Sequence, residues 1–457
     1  FGALIDLEED TKRSWTGPVH YVSLQHVLKP ESTTTPLRIV TNSSLSDRNG
    51  NSLNSILIKG SNALTYQRDV ITRWRNYEVA LTSDLTKAYY TMKTGELEMH
   101  VRRVVWRYGR TNEKWRVFGF RTVSFGDKPA GVFLDIVIKR VARMHNDIDP
   151  QAARKIADDR YVDDITTGGS EKEVSKMIGD PVCVDKKFER NGTLTQILSH
   201  GSLRLKAIVR SGETDTEIIN KVGGSALGTI WNPTTDIIFI NLRLSDYVDK
   251  LINSVDVNNI SLTRRIILGI INKPHDLLGL ISPITIRLMA SYRDLFRVEP
   301  CLDWDEELPQ KLKVEWINMF RMLIEVANVS FPRATRPKSA IKGPEIIGYF
   351  DGSDNAYAAV VYLRWVLSDG SIRATLAGSK AKVTPLKRIS TPRSELNGAV
   401  LLGRLALKLT KACVASGSTP ERVWLLGDSE CTLASLEKTS GAFGEYFGNR
   451  IGDIHHN

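Results

Sequence analysis

"DRYVDDITTGG", residues 159–169, is the stretch whose reading decides the fold. Asp163 and Asp164 interrupt a run that is otherwise built like a strand. Adjacent carboxylates repel each other, and strands are depleted in Asp. Tyr161 and Val162 before the pair, and Ile165, Thr166 and Thr167 after it, favour extended backbone. The pair is therefore predicted in a strand–turn–strand slot. A helix over 150–159 precedes it, and a helix opened by the capping box of Ser170 and Glu173 follows it. A second acidic pair, Asp158–Asp159 in "IADDR", reads as the solvated end of a helix, so the signal lies in the strand context and not in the dipeptide.

Upstream, "YEVALTSDLTKAYYTM" (77–92) rises into an apolar strand that ends at Asp84. Three carboxylates on adjacent strands, Asp84, Asp163 and Asp164, can converge at one sheet edge. Divalent cations would remove their repulsion, and Mg²⁺ prefers hard oxygen ligands. Two such ions suit an in-line displacement in which a 3′-hydroxyl attacks and pyrophosphate leaves. Nearby, 36–44 reads as a strand and turn, 68–76 as a helix, 103–109 with 115–126 as a hairpin, and 130–147 as a helix.

From about residue 240 the pattern becomes helical. Ser261 is expected to cap "LTRRIILGIIN", Pro283 to open the next helix, and 308–327 to form a third. "SFPRATRPKSAIKGP" (330–344) is Pro-rich and basic and reads as a linker. Beyond it the order is β-β-β-α-β-α, a unit of about 115 residues, within the usual domain range. It carries a second carboxylate set: Asp351 in "GYFDGS", Glu395 opening a helix over 394–414, Asp428 in "LLGDS", and Asp453 in "NRIGDI". Singly, Glu395 could serve only the helix N-terminus and the aspartates only strand ends. Together, in this order, they read as a metal constellation.

Lys and Arg number 62 against 52 Asp and Glu, a formal charge of +10 that suits a polyanionic partner as well as a basic surface. The four cysteines, Cys183, Cys301, Cys413 and Cys431, are far apart, which suggests neither zinc nor a disulfide framework and fits a reducing compartment. No apolar run of about 18 residues predicts a membrane span. The chain begins at Phe1 and reads as a piece of something longer.

"YVDD" with Asp84 in "SDLTKAYY" resembles the palm of a reverse transcriptase, and the C-terminal set resembles ribonuclease H. The ordered series "HVLKPESTTTPLRIVTNSS", "YVDDITTGG", "LGTIWNP", "LLGLISPITIR", "CLDWDEELP", "FDGSDNAYAAVVYLR" and "TPRSELNGAVLL" is similar to Pao-type (BEL/Pao) LTR retrotransposon polyproteins, from about residue 19 to 454.

The resemblance implies an α+β and α/β multidomain chain. A right-hand polymerase would comprise fingers and palm (1–240) and a helical thumb or connection with linker (241–340). A C-terminally truncated ribonuclease H-like domain (341–457) would follow. It implies RNA-directed DNA synthesis and degradation of the RNA strand of the hybrid. The partners would be an RNA template, a DNA primer, the RNA–DNA hybrid and deoxynucleoside triphosphates. Two Mg²⁺ ions per site are implied, with Mn²⁺ as a substitute. Asp84, Asp163 and Asp164 would hold the polymerase metals; Asp351, Glu395, Asp428 and Asp453 would hold those of the nuclease. Arg38 would grip the triphosphate, Tyr89 would exclude a 2′-hydroxyl, and Phe125 with Gly126 would shape the template pocket. Lys206 is a weaker candidate for a cation near the pyrophosphate, with a solvated side chain the favoured reading. Protease and integrase segments would adjoin in the parent polyprotein. The location would be cytoplasmic, in virus-like particles, with later nuclear access. The alternative is a domesticated or decayed element that binds nucleic acid without polymerase activity.

Overall fold

The computed structural model describes residues 3–7, 9–28, 36–61, 64–107, 109, 112–184, 187–222, 224–245, 248, 251–252, 260–299 and 301–456. Its organising strand is Val79–Asp84, which lies inside a four-stranded antiparallel sheet ordered Val209–Arg210, Val79–Asp84, Asp164–Gly169, Arg160–Tyr161. Residues 79–83 are all buried, so side chains are buried on both faces. Alternation sends Val79 and Leu81 into one core and Ala80 into another.

The first core is helical on its far side. Leu134 and Ile138 (helix Ala130–Met144), Ile156 (Pro150–Asp158), Val174 (Glu171–Ile178) and Ile197 (Thr193–Ser199) close over Leu81 and Ile165. The second core joins Ile71 and Trp74 of helix Gln67–Asn76 to Trp231 and Ile238. It continues into Ile267, Leu288, Trp316 and Phe320 of helices Arg264–Ile271, Ser282–Asp294 and Gln310–Glu325. Arg103–Trp106 pairs with Arg116–Phe120, as the alternation in sequence predicts, and the N-terminal strands Ser23–Leu28 and Leu37–Asn42 form a further pair that the sequence reading did not include.

The C-terminal unit has the expected β-β-β-α-β-α order. Its sheet runs Ile372–Val383, Ala356–Val366, Glu345–Gly352, Arg422–Leu426, with only the last pair parallel. Helix Thr391–Ala415 packs on it through Leu402, Leu405 and Leu409. Among the described residues no helix is long and apolar enough to cross a membrane.

Three local expectations are corrected. Residues 330–344 do not form a linker: Ser330–Pro332 extends a sheet by pairing with Ile237–Phe239, and Arg333 and Thr335 are buried. The cap of helix Arg264–Ile271 is Thr263, whose hydroxyl accepts from Ile266 N (3.4 Å), because Ser261 is engaged by the Glu307 carboxylate. Asp159 is not solvated. It is 2% exposed and accepts hydrogen bonds from Arg73 Nε, Tyr77 Oη and Thr167 Oγ1, each at 2.7 Å, while its neighbour Asp158 is exposed.

The two halves meet at two buried arginines. Arg75 donates to Arg333 O (3.1 Å), Pro332 O (3.0 Å), Leu376 O (3.2 Å) and Ala377 O (3.3 Å). Arg333 donates to Trp74 O (3.1 Å) and Glu78 O (2.9 Å), and pairs with Asp236 at 2.6 Å. Around them Asn76 reaches Cys413 Sγ (3.5 Å), Arg68 reaches Ser379 O (3.0 Å), and Lys408 pairs with Asp69 (3.0 Å) at the rim. Arg75→Met is expected to lower the stability of the whole chain by about 2–4 kcal/mol, because several buried carbonyls lose their donor. Lys408→Ala, at the exposed rim, should cost under about 1 kcal/mol. Urea denaturation of the two variants checks both figures.

Candidate active sites

The first site stands where the sheet's buried strands reach solvent. Asp84 and Asp164 are direct partners across the antiparallel ladder, so their side chains share one face. Arg160–Tyr161 and Asp164–Gly169 are joined by the two-residue turn Val162–Asp163, as the strand–turn–strand reading requires. Val162 sits at φ +56, a conformation that strains a β-branched residue. The turn is held by Leu85 N donating to Asp163 O (3.0 Å).

Burial first, then a hydrogen bond to Asp84 and the charges of Asp84 and Asp163, push the Asp164 carboxyl up to about 8. A carboxyl so placed carries a proton at neutral pH, or a cation takes the proton's place. Asp84 and Asp164 open onto a cleft of about 170 Å³ with Thr82, Thr166, Ser225, Leu227 and Gly228. Thr82 Oγ1 is buried there with no hydrogen-bond partner among the described residues. The far wall is the hairpin of Ser225–Ala226 and Thr229–Asn232, turned by Leu227 and Gly228, both at positive φ. This wall escaped the sequence reading; Leu-Gly between two β-compatible segments was the signal available.

Tyr89 is buried beside the turn. Burial, and then the charge of Asp163, push its phenol up to about 12. Its ring meets Phe125 edge-on, with centroids 4.6 Å apart. Phe125 O accepts from Thr41 N (3.1 Å) and Thr41 Oγ1 (2.6 Å). Gly126, at φ +107, lets the backbone pass so close that a Cβ would lie 2.2 Å from Thr41 O. The structure thus brings Tyr89, Phe125 and Gly126 together. Arg38 lies on strand Leu37–Asn42, and its side chain falls outside the described residues. Lys206 is not simply solvated: its Nζ is 3.9 Å from Asp84 Oδ2, and its N–H donates to Asp84 O (2.8 Å).

The second site lies at the ends of Glu345–Gly352 and Arg422–Leu426. One oxygen from each of Asp351, Glu395 and Asp428 lies within 4.8 Å of the others. Close approach depends on glycine. A Cβ at Gly352 would lie 2.3 Å from Glu395 N, and one at Gly398 would lie 2.9 Å from Asp351 O. Glu395 is buried, its Oε2 has no partner among the described residues, and burial with the charges of Asp351 and Asp428 raises its pKa. Three converging carboxylates, one of them carrying a buried unpartnered oxygen, fit a divalent cation. Asp453 is not brought into this group. It pairs with Arg404 (2.6 Å), nine residues along the helix from Glu395 and so about 13 Å along its axis.

The mixed sheet-and-helix fold is similar to that of solved retroviral reverse transcriptases. The chain is similar to the foamy viral protease–reverse transcriptase dRH solved with double-stranded DNA, at 12% identity and TM-score 0.55, over 100% of this chain and 65% of that one. It is also similar to the foamy viral protease–reverse transcriptase solved with an RNA/DNA hybrid, at 12% identity and TM-score 0.50, over 99% of this chain and 50% of that one. The chain thus spans less than two thirds of the length of either. Residues 263–424 match the family of the Pao retrotransposon-like RNaseH-like domain, which bears out the Pao resemblance over that segment. No curated protein matches.

The raised Asp164 pKa fixes a pH dependence. Between the unfolded value near 4 and the folded value of about 8, the folded chain holds more protons, so its stability falls as pH rises through that window. Without divalent ions, melting temperature should therefore fall between about pH 5 and 8, and Asp164→Asn should flatten that limb. Added Mg²⁺ should raise the melting temperature most above about pH 8, where no proton must be displaced. Thermal unfolding across pH, with EDTA or Mg²⁺, checks all three outcomes.

Proposed function

We propose that this chain is an RNA-directed DNA polymerase with ribonuclease H activity, part of a Pao-type retroelement polyprotein. One observation carries the reading: a single chain holds two separate carboxylate sites, each at the open end of its own sheet, and the two are joined by a buried interface. The similarity to proteins solved with double-stranded DNA and with an RNA/DNA hybrid supports nucleic-acid partners. The +10 formal charge agrees, and binding should weaken steeply with salt.

Asp84, Asp163 and Asp164 would hold Mg²⁺, or Mn²⁺, at the polymerase site, and Asp351, Glu395 and Asp428 would hold it at the nuclease site. Bound there, such ions supply activation of the attacking hydroxyl or water and neutralise charge at the phosphorus. The chain's own residues position the substrates. Arg38 would grip the triphosphate of an incoming deoxynucleotide with its fork of donors. Tyr89, wedged against Phe125, would exclude a 2′-hydroxyl, and Phe125 with Gly126 would shape the template pocket. Lys206 would offer its ammonium beside Asp84. Template, primer and hybrid would lie along the cleft, with protease and integrase segments adjoining in the parent polyprotein, in cytoplasmic particles that later gain nuclear access.

Primer extension on RNA and DNA templates with Mg²⁺ tests the polymerase, and degradation of labelled RNA in a hybrid tests the nuclease. Asp163→Asn is expected to lower extension by roughly a hundredfold to a thousandfold or more, as for loss of one transition-state charge contact, and to spare RNA degradation. Asp351→Asn should do the reverse. Absence of extension by the unmodified chain, or undiminished extension by Asp163→Asn, would sink the polymerase reading.

A further inference from the structure

The hairpin that walls the first cleft is held from outside by a residue that the proposed chemistry does not use. Strands Ser225–Ala226 and Thr229–Asn232 are joined by Leu227 at φ +48 and Gly228 at φ +84. Two-residue turns with both central residues at positive φ favour Asn-Gly, and a leucine there is strained. Such strain persists only where the surroundings over-determine it. Here His275 does so. Its Nε2 lies 2.8 Å from Leu227 O, and because a carbonyl only accepts, Nε2 carries the hydrogen. The ring also closes on the next residue. A Cβ at Gly228 would lie 2.8 Å from His275 Nε2 and 2.6 Å from Arg243 Nη2.

His275 is itself firmly placed. Its N–H donates to Asn241 O (2.8 Å). The next residue, Asp276, accepts from Gly279 N (2.8 Å), Leu280 N (2.9 Å) and Ile281 N (2.9 Å), which closes the following loop into a tight turn. That loop rests on the C-terminal sheet. Ser379 N donates to Leu278 O (2.8 Å), and Arg68 Nη2 donates to Leu278 O (3.3 Å) and Ser379 O (3.0 Å). Burial first, and the charge of Arg243 after it, lower the pKa of the imidazole against the opposing effect of its bond to Leu227 O. The half-buried ring is therefore a neutral donor at pH 7. It satisfies the carbonyl without setting a second cation beside Arg243.

We infer that His275 is a positioning residue of the first site: through Leu227 O it sets how far the Leu227–Gly228 wall stands from Asp84 and Asp164. The inference rests on the polymerase reading of that site. His275 does not line the cleft, so it acts only through the turn, whereas Leu227 and Gly228 line the cleft together with both carboxylates. Without the donor, Leu227 O loses its bond and the strained turn relaxes toward backbone that leucine prefers. The space in which reacting groups must align then changes, and a misplacement of about 1 Å can cost about a hundredfold in rate.

The test uses the full chain in primer extension with Mg²⁺. His275→Phe keeps a ring and removes the donor. His275→Asn keeps a donor that is too short to reach Leu227 O. Each should lower kcat about tenfold to a hundredfold, with KM for the deoxynucleotide within about threefold. His275→Gln, whose amide nitrogen can take the place of Nε2, should recover most of the rate. Amide hydrogen exchange gives a readout without activity. Peptides covering 224–232 should exchange faster in His275→Phe and His275→Asn and at the original rate in His275→Gln, while peptides covering 264–271 and 345–352 stay unchanged. Unchanged kcat in His275→Phe and His275→Asn, or unchanged exchange over 224–232, would overturn the proposal and leave the polymerase reading standing. Faster exchange throughout the chain would mark a general structural role and overturn it too. An unmodified chain that extends no primer would overturn both readings at once.

Discussion

Arg75 and Arg333 are the constraint on which the rest of the structure depends. Arg75 is 1% exposed and Arg333 0% exposed, and burial with their mutual repulsion disfavours the charge on Arg75. An isolated buried cation would be untenable. Here the guanidinium forks are saturated by main-chain carbonyls from separate segments, and Asp236 pairs with Arg333. The carbonyls belong to the end of helix Gln67–Asn76, the strand Ser330–Pro332 and the C-terminal strand Ile372–Val383. Each would be orphaned if the others moved away. The joint therefore makes the first sheet, the helical segment and the C-terminal sheet depend on one another, and it holds the two carboxylate sites in a fixed relation.

The two sites solve one electrostatic problem differently. At the first, Asp84 and Asp164 face each other across a ladder, and burial with the neighbouring carboxylates favours a proton on Asp164. At the second, the three carboxylates come from two strand ends and a helix, and glycines bring the backbones close enough for Glu395 to be buried with one oxygen unpartnered. Both arrangements gather negative charge that a bound cation would relieve.

Much of this was legible in the sequence because it is local. The apolar run ending at Asp84, the extended flanks of Asp163–Asp164, the Ser170–Glu173 box and the C-terminal β-β-β-α-β-α order each follow from neighbouring residues. What escaped depends on partners far along the chain. Asp159 looked solvated because Arg73, Tyr77 and Thr167 come from other elements. Residues 330–344 looked like a linker because Arg333 finds its acceptors some 250 residues upstream. Asp453 looked like a ligand by type and order, yet helix packing carries it to Arg404.

The strand Val79–Asp84 carries a further consequence. It separates two hydrophobic cores, with Leu81 on one side and Ala80 on the other, and Asp84 follows the side of Ala80. Inserting one residue upstream of Asp84 would invert this parity at every later position. Leucine would swap places with alanine across the sheet, and the carboxylate would point into the helices instead of the cleft. Substitutions here can be absorbed by volume, but a change of length cannot. The segment is a ruler whose divisions can be relabelled but not added to.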